Sequence, residues 1–401
     1  MSGRLGDLRS LLEARGMLVS VIQPAPLSAT GTDRAMGADD PVIAAVTLDS
    51  RRVTPGVLFA AAPGARADGH SFLDEAVARG AAAVLVEAPA AGLSVPQVVV
   101  HATRPAAAVM AAWCAGFPSR HLGIVGVTGT DGKTTTTYLG RAILEAAGRP
   151  TGLLGTVDVI VGGISLGNVA RTTTPEAPEL QRSLASMVAA ADGWAVVEAS
   201  SHGLAQDRVG EIAWDVAVLT NVTEEHLEFH HTIEAYLAAK LRLFEALVAG
   251  DANPEKGFGK TAVLNLDDGA AEMFATAARA SGAAVLGYGG STAASIRLTD
   301  VRQDAHRLHV GLHTPRWHGT LALKLAGRFN ALNAAAAAAV GEALDLEPAA
   351  IRAGLEGVEG VPGRMERIDA GQPFVVVVDY AHTADALAKV LDELAPIAAH
   401  G

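Results

Sequence analysis

The chain has 401 residues, which at about 150 residues per domain allows two or three domains. Its 31 Lys and Arg are outnumbered by 43 Asp and Glu, and the net charge of −12 argues against a general nucleic-acid binder, which needs a basic face. Half of the residues are hydrophobic, yet no run of about 18 apolar residues occurs, so we predict a folded protein without a membrane span. The single cysteine, Cys114, excludes an internal disulfide. Asp7 and Glu13 interrupt the basic region before the apolar segment Met17–Ile22, so we predict no secretory signal there and expect a cytoplasmic protein.

The first region, residues 1 to about 118, alternates short apolar runs with helical patterns. This alternation predicts a small α/β domain, with a hinge at Phe117-Pro118-Ser119. The predicted strands are Val42–Leu48, Val57–Ala62, Ala82–Val86 and Val98–Val100, and the predicted helices are His70–Arg79 and Arg104–Gly116.

The second region, residues 119 to about 360, opens with an apolar strand at His121–Val127, a Gly/Thr-rich turn and a helix at Lys133–Ala147. Two further apolar strands, Trp194–Glu198 and Val216–Thr220, each run into polar residues. Continuous apolar strands are typical of a parallel sheet with helices on both faces, and such sheets bind ligands at the carboxyl ends of their strands. Looser alternation over residues 296–325 predicts an antiparallel extension, and Asn330–Glu342 predicts an Ala-rich helix.

The third region, residues 361–401, contains one predicted strand, Phe374–Asp379, and one predicted helix, Ala384–Ala399. One strand and one helix cannot bury their apolar faces as an independent domain. Two interpretations stay open. The region is an appendage packed on the central domain, or it is the start of a further fold.

The strongest local signal is GVTGTDGKT, residues 126–134, between a predicted strand and a predicted helix. Glycines let backbone N–H groups turn toward phosphate oxygens, and the helix N-terminus adds partial positive charge. Lys133 would contact the β- and γ-phosphates of a nucleotide, and Thr134 would offer its hydroxyl to Mg²⁺. The general phosphate-loop pattern has its first glycine at the position of Val127, whereas this chain has Gly126.

Polar residues at the ends of the next two strands are candidates for the same site. Glu198 ends an apolar strand, at the position where a phosphate-loop enzyme holds its metal, although a surface carboxylate at a strand end fits the pattern too. His226 follows the next strand and is a candidate metal or phosphate contact. His230 and His231 show that the whole segment is rich in histidine, so the pattern alone does not single out His226.

Seven motifs occur in one order along the chain. They are Gly129–Thr134, Glu198–Gly203, Thr220-Asn221 with His226, Tyr236–Lys240, Gly327–Asn333, Pro362–Arg367 and Asp379–Thr383. Together with Thr47–Arg51 and Gly64–Gly69, they make the chain from about residue 43 onward resemble the Mur ligase family, within it the enzymes that add the third amino acid to the peptidoglycan precursor. The resemblance implies a three-domain α/β architecture. It has a small UDP-sugar-binding domain at 1–118, a central P-loop ATPase-like domain with a parallel sheet at 119–360, and the start of a Rossmann-like C-terminal ligase domain at 361–401.

The resemblance also implies an ATP-dependent amide ligase of peptidoglycan biosynthesis. ATP would phosphorylate the free carboxylate of UDP-N-acetylmuramoyl-L-alanyl-D-glutamate, and the amine of meso-diaminopimelate or L-lysine would then displace phosphate. The protein would position these partners and neutralise charge. The implied partners are this UDP-N-acetylmuramoyl-dipeptide and an amino acid, with no nucleic acid, and we expect a monomer.

Lys240 changes its interpretation under this resemblance. It lies on a helix that we predict from about Thr232, and the helix pattern alone predicts a solvated surface lysine. The family implies instead that CO₂ carbamylates Lys240, which turns a cation into an anion able to bind or orient a second metal ion.

The other roles are carried over from the family by position. The catalytic residues would be Lys133, His226 and Lys240, and the Mg²⁺ ligands would be Thr134, Glu198, His226 and Lys240. ATP would be bound by Gly129, Thr130, Asp131, Gly132, Lys133, Thr134, Thr135, Asn221, Asn330, Asn333, Arg364 and Asp379. The UDP-substrate would be bound by Leu48, Ser50, Ala65, Arg66, Ala67, Thr172, Thr173, Thr174, Ser200, Gln206 and Arg208.

Two substitutions depart from the family pattern. Asp131 stands where many members have Asn, and a carboxylate beside phosphates is repulsive unless a metal or a lysine offsets it. We therefore expect an altered affinity for ATP or Mg²⁺. Glu225 stands where Asp is common before the histidine, and its extra methylene would shift His226 or its support.

The third departure concerns the incoming amino acid. The resemblance implies that a full third domain binds it and that the motif selecting it lies past residue 401. We expect these 401 residues alone to bind the UDP-substrate, with binding of ATP left open, and to ligate poorly or not at all. The choice between diaminopimelate and L-lysine stays open.

Two rival functions also stay open. Folylpolyglutamate-type synthetases share the central domain, but the segment Leu48–Arg51 favours the UDP-muramoyl enzyme. A catalytically incomplete UDP-sugar or nucleotide-binding protein is favoured by the short third region. It is disfavoured by the presence of Lys133, Glu198, His226 and Lys240.

Overall fold

The computed structural model describes residues 3–24, 40–64, 67–168, 172–248, 256, 259–304, 306–382 and 384–398. The chain divides into two compact units. The first unit comprises Met1–His121, Pro175–Ser186 and Ala205–Ile212, and the second unit comprises Leu122–Thr174, Met187–Leu204 and Ala213–Gly401. The predicted domain boundaries near residues 118 and 360 stay predictions.

The helices and strands of the described residues follow in chain order. The helices are α1 Leu5–Ala14, α2 Leu73–Ala78, α3 Thr103–Cys114, α4 Lys133–Ala146, α5 Ala177–Ala189, α6 Ser201–Ala205, α7 Leu227–His230, α8 Ile233–Glu245, α9 Ala271–Ala280, α10 Asn330–Ala343, α11 Pro348–Gly357 and α12 Ala384–Ala398. The strands are β1 Gly3–Arg4, β2 Leu18–Ile22, β3 Val42–Ile43, β4 Ala45–Thr47, β5 Val57–Ala60, β6 Ala83–Val86, β7 Gln97–Val100, β8 Gly123–Thr128, β9 Thr151–Leu154, β10 Val159–Val161, β11 Ile164–Ser165, β12 Trp194–Glu198, β13 Val216–Leu219, β14 Thr261–Asn265, β15 Ala284–Gly289, β16 Ile296–Gln303, β17 Leu308–His313, β18 His318–Leu323, β19 Glu366–Ile368 and β20 Val376–Val378.

The first unit is built on a five-stranded sheet in the order β2-β7-β6-β5-β4. The four strands β4 to β7 pair in parallel, and β2 joins β7 antiparallel. The residues of β5, β6 and β7 are all buried, which is why their sequences, apart from Gln97, are continuously apolar rather than alternating. Helix α1 buries Leu5, Leu8 and Leu12, which its period places on one face. The predicted small α/β fold is confirmed, although neither α1 nor β2 was among the predicted elements.

The second unit is built on an eleven-stranded sheet in the order β11-β10-β9-β12-β8-β13-β14-β15-β16-β17-β18. The neighbouring strands that pair in parallel are β9, β12, β8, β13, β14, β15 and β16. The outer strands β10 and β11 at one edge, and β17 and β18 at the other, pair antiparallel. Both the predicted parallel sheet and its predicted antiparallel extension over residues 296–325 are confirmed.

The Ala-rich helix α10 packs into the core of the second unit. Its residues Ala334–Ala339 are fully buried beside Val125 and Val196 of the sheet. Small side chains let the axis of α10 lie close to the sheet, and a small residue allows similarly close packing in α11. A Cβ added to Gly354 there would lie only 2.5 Å from the Cα of Ile143 in α4. Because α10 and α11 pack closely against α4, they fix the position of this helix. The first residues of α4, Lys133 and Thr134, belong to the predicted phosphate loop.

Among the described residues, no helix is both long enough and apolar enough to cross a membrane.

Candidate active site

The carboxyl ends of β8, β12 and β13 open into a cavity of about 490 Å³ in the second unit. This is the edge at which parallel sheets bind ligands. The loop after β8, the last residue of β12 and the first residues after β13 all line the cavity. The lining residues that the sequence predicted are Gly129, Thr130, Asp131, Gly132, Lys133, Thr134, Thr135, Thr173, Glu198, Ser200, Asn221, His226, Lys240, Asn333, Arg364 and Asp379.

The loop between β8 and α4 requires glycine at two positions. Gly132 has a φ of +81°, and a Cβ there would lie 2.3 Å from Oδ1 of Asn333. Gly129 has a φ of +151°, and a Cβ there would lie 1.8 Å from Oγ1 of Thr220. The backbone therefore approaches its neighbours more closely than any side chain permits. The loop leads into the N-terminus of the 14-residue helix α4, which is a favourable environment for phosphate.

The unusual spacing of the first glycine does not affect this loop. Gly126 and Val127 both lie inside β8, before the loop begins. A Cβ at Gly126 would lie 2.7 Å from the Trp214 ring, so the glycine makes room for an aromatic side chain instead of a phosphate.

Residues that follow β13 hold the phosphate loop in shape. The Asn221 side chain accepts a hydrogen bond from the Asp131 backbone N at 3.0 Å and donates one to the Asp131 backbone O at 3.1 Å. The Thr220 hydroxyl donates to the same carbonyl oxygen at 2.6 Å. The Thr130 hydroxyl lies 2.9 Å from the hydroxyl of Tyr236. The contacts of Asn221 and Thr220 fix the backbone of Asp131, and that of Tyr236 fixes the Thr130 side chain, so the loop is preorganised for its ligand.

Glu198 is fully buried at the end of β12. Its carboxylate accepts hydrogen bonds from the Thr134 hydroxyl at 3.2 Å and from the Thr156 backbone N and hydroxyl, both at 2.9 Å. Nη2 of Arg364 donates to the Thr134 hydroxyl at 3.1 Å. A carboxylate beside a hydroxyl at the mouth of a phosphate loop is the oxygen-rich donor set that Mg²⁺ prefers. These residues therefore fit a magnesium ion.

Two lysines converge on one carbonyl oxygen of the loop. The Gly129 O accepts hydrogen bonds from Nζ of Lys133 at 3.0 Å and from Nζ of Lys240 at 2.6 Å, and Lys133 also donates to the Thr130 O at 2.7 Å. Burial lowers the pKa of Lys133, and the nearby carboxylates of Glu198, Glu225 and Asp131 oppose this shift.

Lys240 lies in the interior, and the helix-pattern prediction of a solvated surface lysine is wrong. The residue is 1% exposed, and its ammonium lies 4.4 Å from the centre of the Tyr236 ring. Burial lowers the pKa of Lys240 well below its usual value, and the neighbouring Lys133 lowers it further. A helical signal for this position was present in the sequence, because Lys240 lies four residues from both Tyr236 and Phe244, which are buried on the same face of α8.

His226 directly precedes α7 and has the left-handed conformation, with a φ of +57°. Its Nε2 lies 3.6 Å from a carboxylate oxygen of Glu225, and its Nδ1 lies 3.3 Å from one of Glu228. His226 and Glu225 both line the cavity. The Glu225 side chain thus lies beside the His226 ring. The expected shift of His226 by the extra methylene of Glu225 stays a prediction.

The C-terminal part of the second unit contributes the predicted Arg364 and Asp379, together with Tyr380 and Lys389, which were not among the predicted site residues. Nζ of Lys389 in α12 lies 3.3 Å from Oδ2 of Asp131, so a lysine offsets the loop carboxylate as the sequence argument required. The Arg364 guanidinium lies 5.1 Å from the centre of the Tyr380 ring. Asp379 accepts a hydrogen bond from the Met365 backbone N at 2.7 Å. Apart from Met365, all of these residues line the cavity.

Asn330 and Asn333 share one face of α10 but play different parts. Asn333 lines the cavity and accepts a hydrogen bond from the Thr136 hydroxyl at 3.3 Å. Asn330 accepts a hydrogen bond from the Asn333 side chain at 2.8 Å and donates one to the Ala326 O at 2.6 Å. Asn330 therefore orients Asn333.

The residues predicted to bind the UDP-substrate belong to both units. Within the second unit, Thr173 and Ser200 line the cavity, and the Thr174 hydroxyl lies 2.9 Å from that of Ser200. The second unit also holds Thr172, and the first unit holds Leu48, Ser50, Ala67, Gln206 and Arg208. Ala65 and Arg66 lie outside the described residues.

Glu176 organises two arginines in the first unit. Its carboxylate lies 2.8 Å from Nη1 of Arg104 and 3.2 Å from Nε of Arg208. Arg208 also donates to the side-chain oxygen of Gln206 at 2.7 Å. Arg104 and Glu176 carried no signal in the sequence analysis, because nothing in the pattern joins residues 72 positions apart.

The fold and the site define a nucleotide-binding enzyme with a phosphate loop. Residues 127–341 match the family model of the Mur ligase middle domain, and residues 42–117 match that of the Mur ligase family, catalytic domain. The chain belongs to the Mur ligase family, as the sequence resemblance implied, and is an ATP-dependent ligase by class.

Individual relatives agree with this assignment. A UDP-N-acetylmuramyl-tripeptide synthetase of Roseiflexus sp. is 47% identical, over 89% of this chain and 71% of the relative. A UDP-N-acetylmuramoyl-L-alanyl-D-glutamate--2,6-diaminopimelate ligase of Geobacillus kaustophilus is 42% identical, over 90% of this chain and 72% of the relative. A solved structure with the same ligase name has a TM-score of 0.71 at 30% identity, over 88% of this chain and 70% of that one.

Proposed function

We propose that this protein joins 2,6-diaminopimelate to UDP-N-acetylmuramoyl-L-alanyl-D-glutamate, in an ATP-dependent reaction that passes through an acyl phosphate. The observation that carries the proposal is the meeting of a phosphate loop, a metal-suited carboxylate and a buried lysine in one cavity. Relatives of 38–42% identity that are named for this reaction support diaminopimelate over L-lysine.

Nucleotide binding falls to the loop and the N-terminus of α4. The backbone N–H groups that follow Gly129 surround the triphosphate, and Lys133 leaves its carbonyl partners to neutralise the phosphate charge. Thr134 and Glu198 would hold Mg²⁺, which supplies further charge neutralisation when it is bound. Arg364 already contacts Thr134, so its guanidinium lies within reach of the same phosphates.

The chemical step needs positioning more than covalent catalysis. A carboxylate oxygen of the substrate attacks the γ-phosphorus, an O–P bond forms, and ADP leaves with the electrons of the broken bond. The amine of diaminopimelate then attacks the acyl carbon, phosphate leaves, and the amine loses a proton. Lys133 and Arg364 stabilise the negative charge that develops in both steps, because both side chains line the cavity that would hold the phosphates.

We further propose that Lys240 carries a carbamate. Its depressed pKa keeps a share of the amine neutral, and only the neutral amine attacks CO₂. An N–C bond forms, a proton is released, and a buried cation beside Lys133 becomes an anion that pairs with it. The loop carbonyl then no longer lies between two ammonium groups.

Carbamylation is tested by ¹³C NMR with labelled bicarbonate. We expect one carbamate resonance in the wild-type protein and none in Lys240→Arg. A resonance that persists in Lys240→Arg would assign the carbamate to another amine, and its absence from both proteins would refute the proposal.

The first unit would bind the UDP end of the substrate through Leu48, Ser50, Ala67, Gln206 and Arg208. Glu176 supports this role, because it fixes the Arg208 guanidinium before any ligand binds. ATP and UDP-sugars are cytoplasmic metabolites, so we propose that the enzyme acts in the cytoplasm.

The function is tested by phosphate release from ATP in the presence of the UDP-dipeptide, Mg²⁺ and bicarbonate. Parallel reactions contain meso-diaminopimelate, L-lysine or no amino acid. Release that depends on diaminopimelate supports the proposal and would refute the expectation that these 401 residues ligate poorly or not at all. Release that depends on L-lysine corrects the amino acid. Absence of UDP-dipeptide binding in calorimetry would refute the function itself and favour a folylpolyglutamate-type or other ligase.

A further inference from the structure

Two histidines and a glutamate lie together beside the active-site cavity. His202 belongs to the short helix α6 that follows β12, and His226 and Glu228 lie at the start of α7. One donor atom from each of the three side chains lies within 4.8 Å of the other two. The rings of His202 and His226 are 4.6 Å apart between centroids and nearly perpendicular, at 80°. We call these three side chains the histidine cluster.

The donor set differs in chemistry from that of the magnesium residues. Thr134 and Glu198 offer only oxygen atoms, which suit Mg²⁺. Two imidazoles with one carboxylate suit Zn²⁺, Co²⁺, Ni²⁺ and similar ions, which bind nitrogen much more strongly than Mg²⁺ does.

The geometry is close to that of a bound site. Ligand bonds of about 2.0–2.1 Å to a tetrahedral ion separate donor atoms by about 3.4 Å. A set that already lies within 4.8 Å needs to contract by little more than 1 Å. Glu228 can supply this movement, because its side chain is 74% exposed and is not fixed by packing.

The surrounding aromatic rings hold the histidines in place. The His202 ring packs on the Phe229 ring with centroids 4.2 Å apart, and the centroid of the His230 ring lies 5.5 Å from that of His202. His230 is 7% exposed, and its Nε2 has no hydrogen-bond partner among the described residues. His230 lies outside the histidine cluster, and its buried ring limits the space into which the His202 ring can turn.

We propose that His202, His226 and Glu228 form a binding site for a divalent transition-metal ion, with Zn²⁺ as the preferred ion. The site requires neither nucleotide nor UDP-substrate, and its test is independent of the ligase reaction. Because His226 also belongs to the magnesium set implied by the family, Zn²⁺ here competes with that set for one imidazole.

The test uses Co²⁺ as a spectroscopic probe of the full 401-residue chain, in an excess of Mg²⁺. Visible absorption of Co²⁺ reports coordination by nitrogen and oxygen, and titration with Zn²⁺ then displaces it. The variants are His202→Ala and Glu228→Gln. The control is His231→Ala, since His231 is exposed and adjacent to α7 but outside the histidine cluster.

We expect one equivalent of Co²⁺ to bind to wild-type protein and to be displaced by Zn²⁺. Affinity should fall at least about tenfold in His202→Ala and Glu228→Gln and stay unchanged in His231→Ala. Glu228→Gln alters only an exposed side chain, so it keeps the test valid if His202→Ala unfolds. Binding that is unaffected by Glu228→Gln, or displaced by the excess Mg²⁺, would overturn the proposal.

Discussion

Replacing Glu198 by Gln tests the metal role of this carboxylate without disturbing the fold. The carboxylate accepts the Thr156 backbone N–H with one oxygen and the hydroxyls of Thr134 and Thr156 with the other. A glutamine amide can keep its oxygen toward the backbone N–H and donate from its NH₂ group to the hydroxyl oxygens, which can turn to accept. We therefore expect a loss of only about 1 kcal/mol in the free energy of unfolding.

The expected effect on nucleotide binding is much larger. A charge-assisted contact contributes about 1.5–3 kcal/mol, and each 1.4 kcal/mol corresponds to a factor of ten in affinity. The Glu198→Gln protein should therefore bind Mg·ADP about 10- to 140-fold more weakly than the wild type. In the absence of Mg²⁺ the two proteins should bind ADP with similar affinity, because the carboxylate acts through the metal.

Calorimetric titration of ADP, with and without Mg²⁺, measures both quantities. Glu224→Gln is the matched control, because Glu224 is exposed and does not line the cavity. Its affinity for Mg·ADP should equal that of the wild type. If Glu198→Gln weakens ADP binding equally with and without Mg²⁺, the assignment of Glu198 to the metal is refuted.

Two substitutions probe the loop, and the chemistry of Cys114 probes the first unit. Asp131→Asn removes a carboxylate beside the phosphate site, so less Mg²⁺ should be needed for half-maximal ADP binding, and an unchanged Mg²⁺ titration would count against this. Gly132→Ala puts a Cβ 2.3 Å from Asn333 at a φ of +81° and should cost about 2–3 kcal/mol in urea unfolding, whereas Gly148→Ala, with a φ of +69° and open space, should cost only about 1 kcal/mol. Burial raises the pKa of Cys114 to about 11, so at pH 8 the folded thiol should react with a disulfide reagent about 100-fold more slowly than the unfolded one. Because the folded protein holds the Cys114 proton more tightly than the unfolded chain does, the protonated thiol contributes to the free energy of unfolding. This contribution is complete below the unfolded pKa and is lost as the pH rises from 9 through 11, and urea unfolding at a series of pH values measures it.

The elements around the phosphate loop could be predicted because they are buried on both sides. Trp194–Glu198 is continuously apolar until its last residue, and the structure has a strand with these same bounds. The first residue of α4, Lys133, was also predicted correctly, since a glycine-rich turn between an apolar strand and a helical pattern indicates a helix start. In contrast, α1 and β2 were not predicted, although the helical spacing of Leu5, Leu8 and Leu12 was a signal for α1.

Lys240 shows what a single pattern misses. A lysine on a helix is usually solvated, and that general preference outweighed the spacing that puts Lys240 on the buried face with Tyr236 and Phe244. The family resemblance gave Lys240 a role, but its burial and its contact with the Gly129 carbonyl follow only from the fold.

Other site residues could not be found from sequence because no local pattern joins them to the site. Thr156 reaches Glu198 from the turn after β9, and Lys389 reaches Asp131 from α12, 258 residues away. Tyr380 contacts Arg364 although the two residues are 16 positions apart in the sequence. Each of these contacts exists only because the tertiary structure brings separate elements to one cavity.

The most direct test of the proposed reaction is to trap the acyl phosphate. The protein is incubated with ATP, Mg²⁺, bicarbonate, hydroxylamine and UDP-N-acetylmuramoyl-L-alanyl-D-glutamate, without an amino acid, and the UDP-product is identified by mass spectrometry. Hydroxylamine attacks the acyl carbon and releases phosphate, so we predict a hydroxamate of the UDP-dipeptide that forms only with ATP and is lost in Glu198→Gln. If the UDP-dipeptide binds but no hydroxamate forms, the phosphate loop of this chain does not activate the substrate carboxylate, and the proposed mechanism is contradicted.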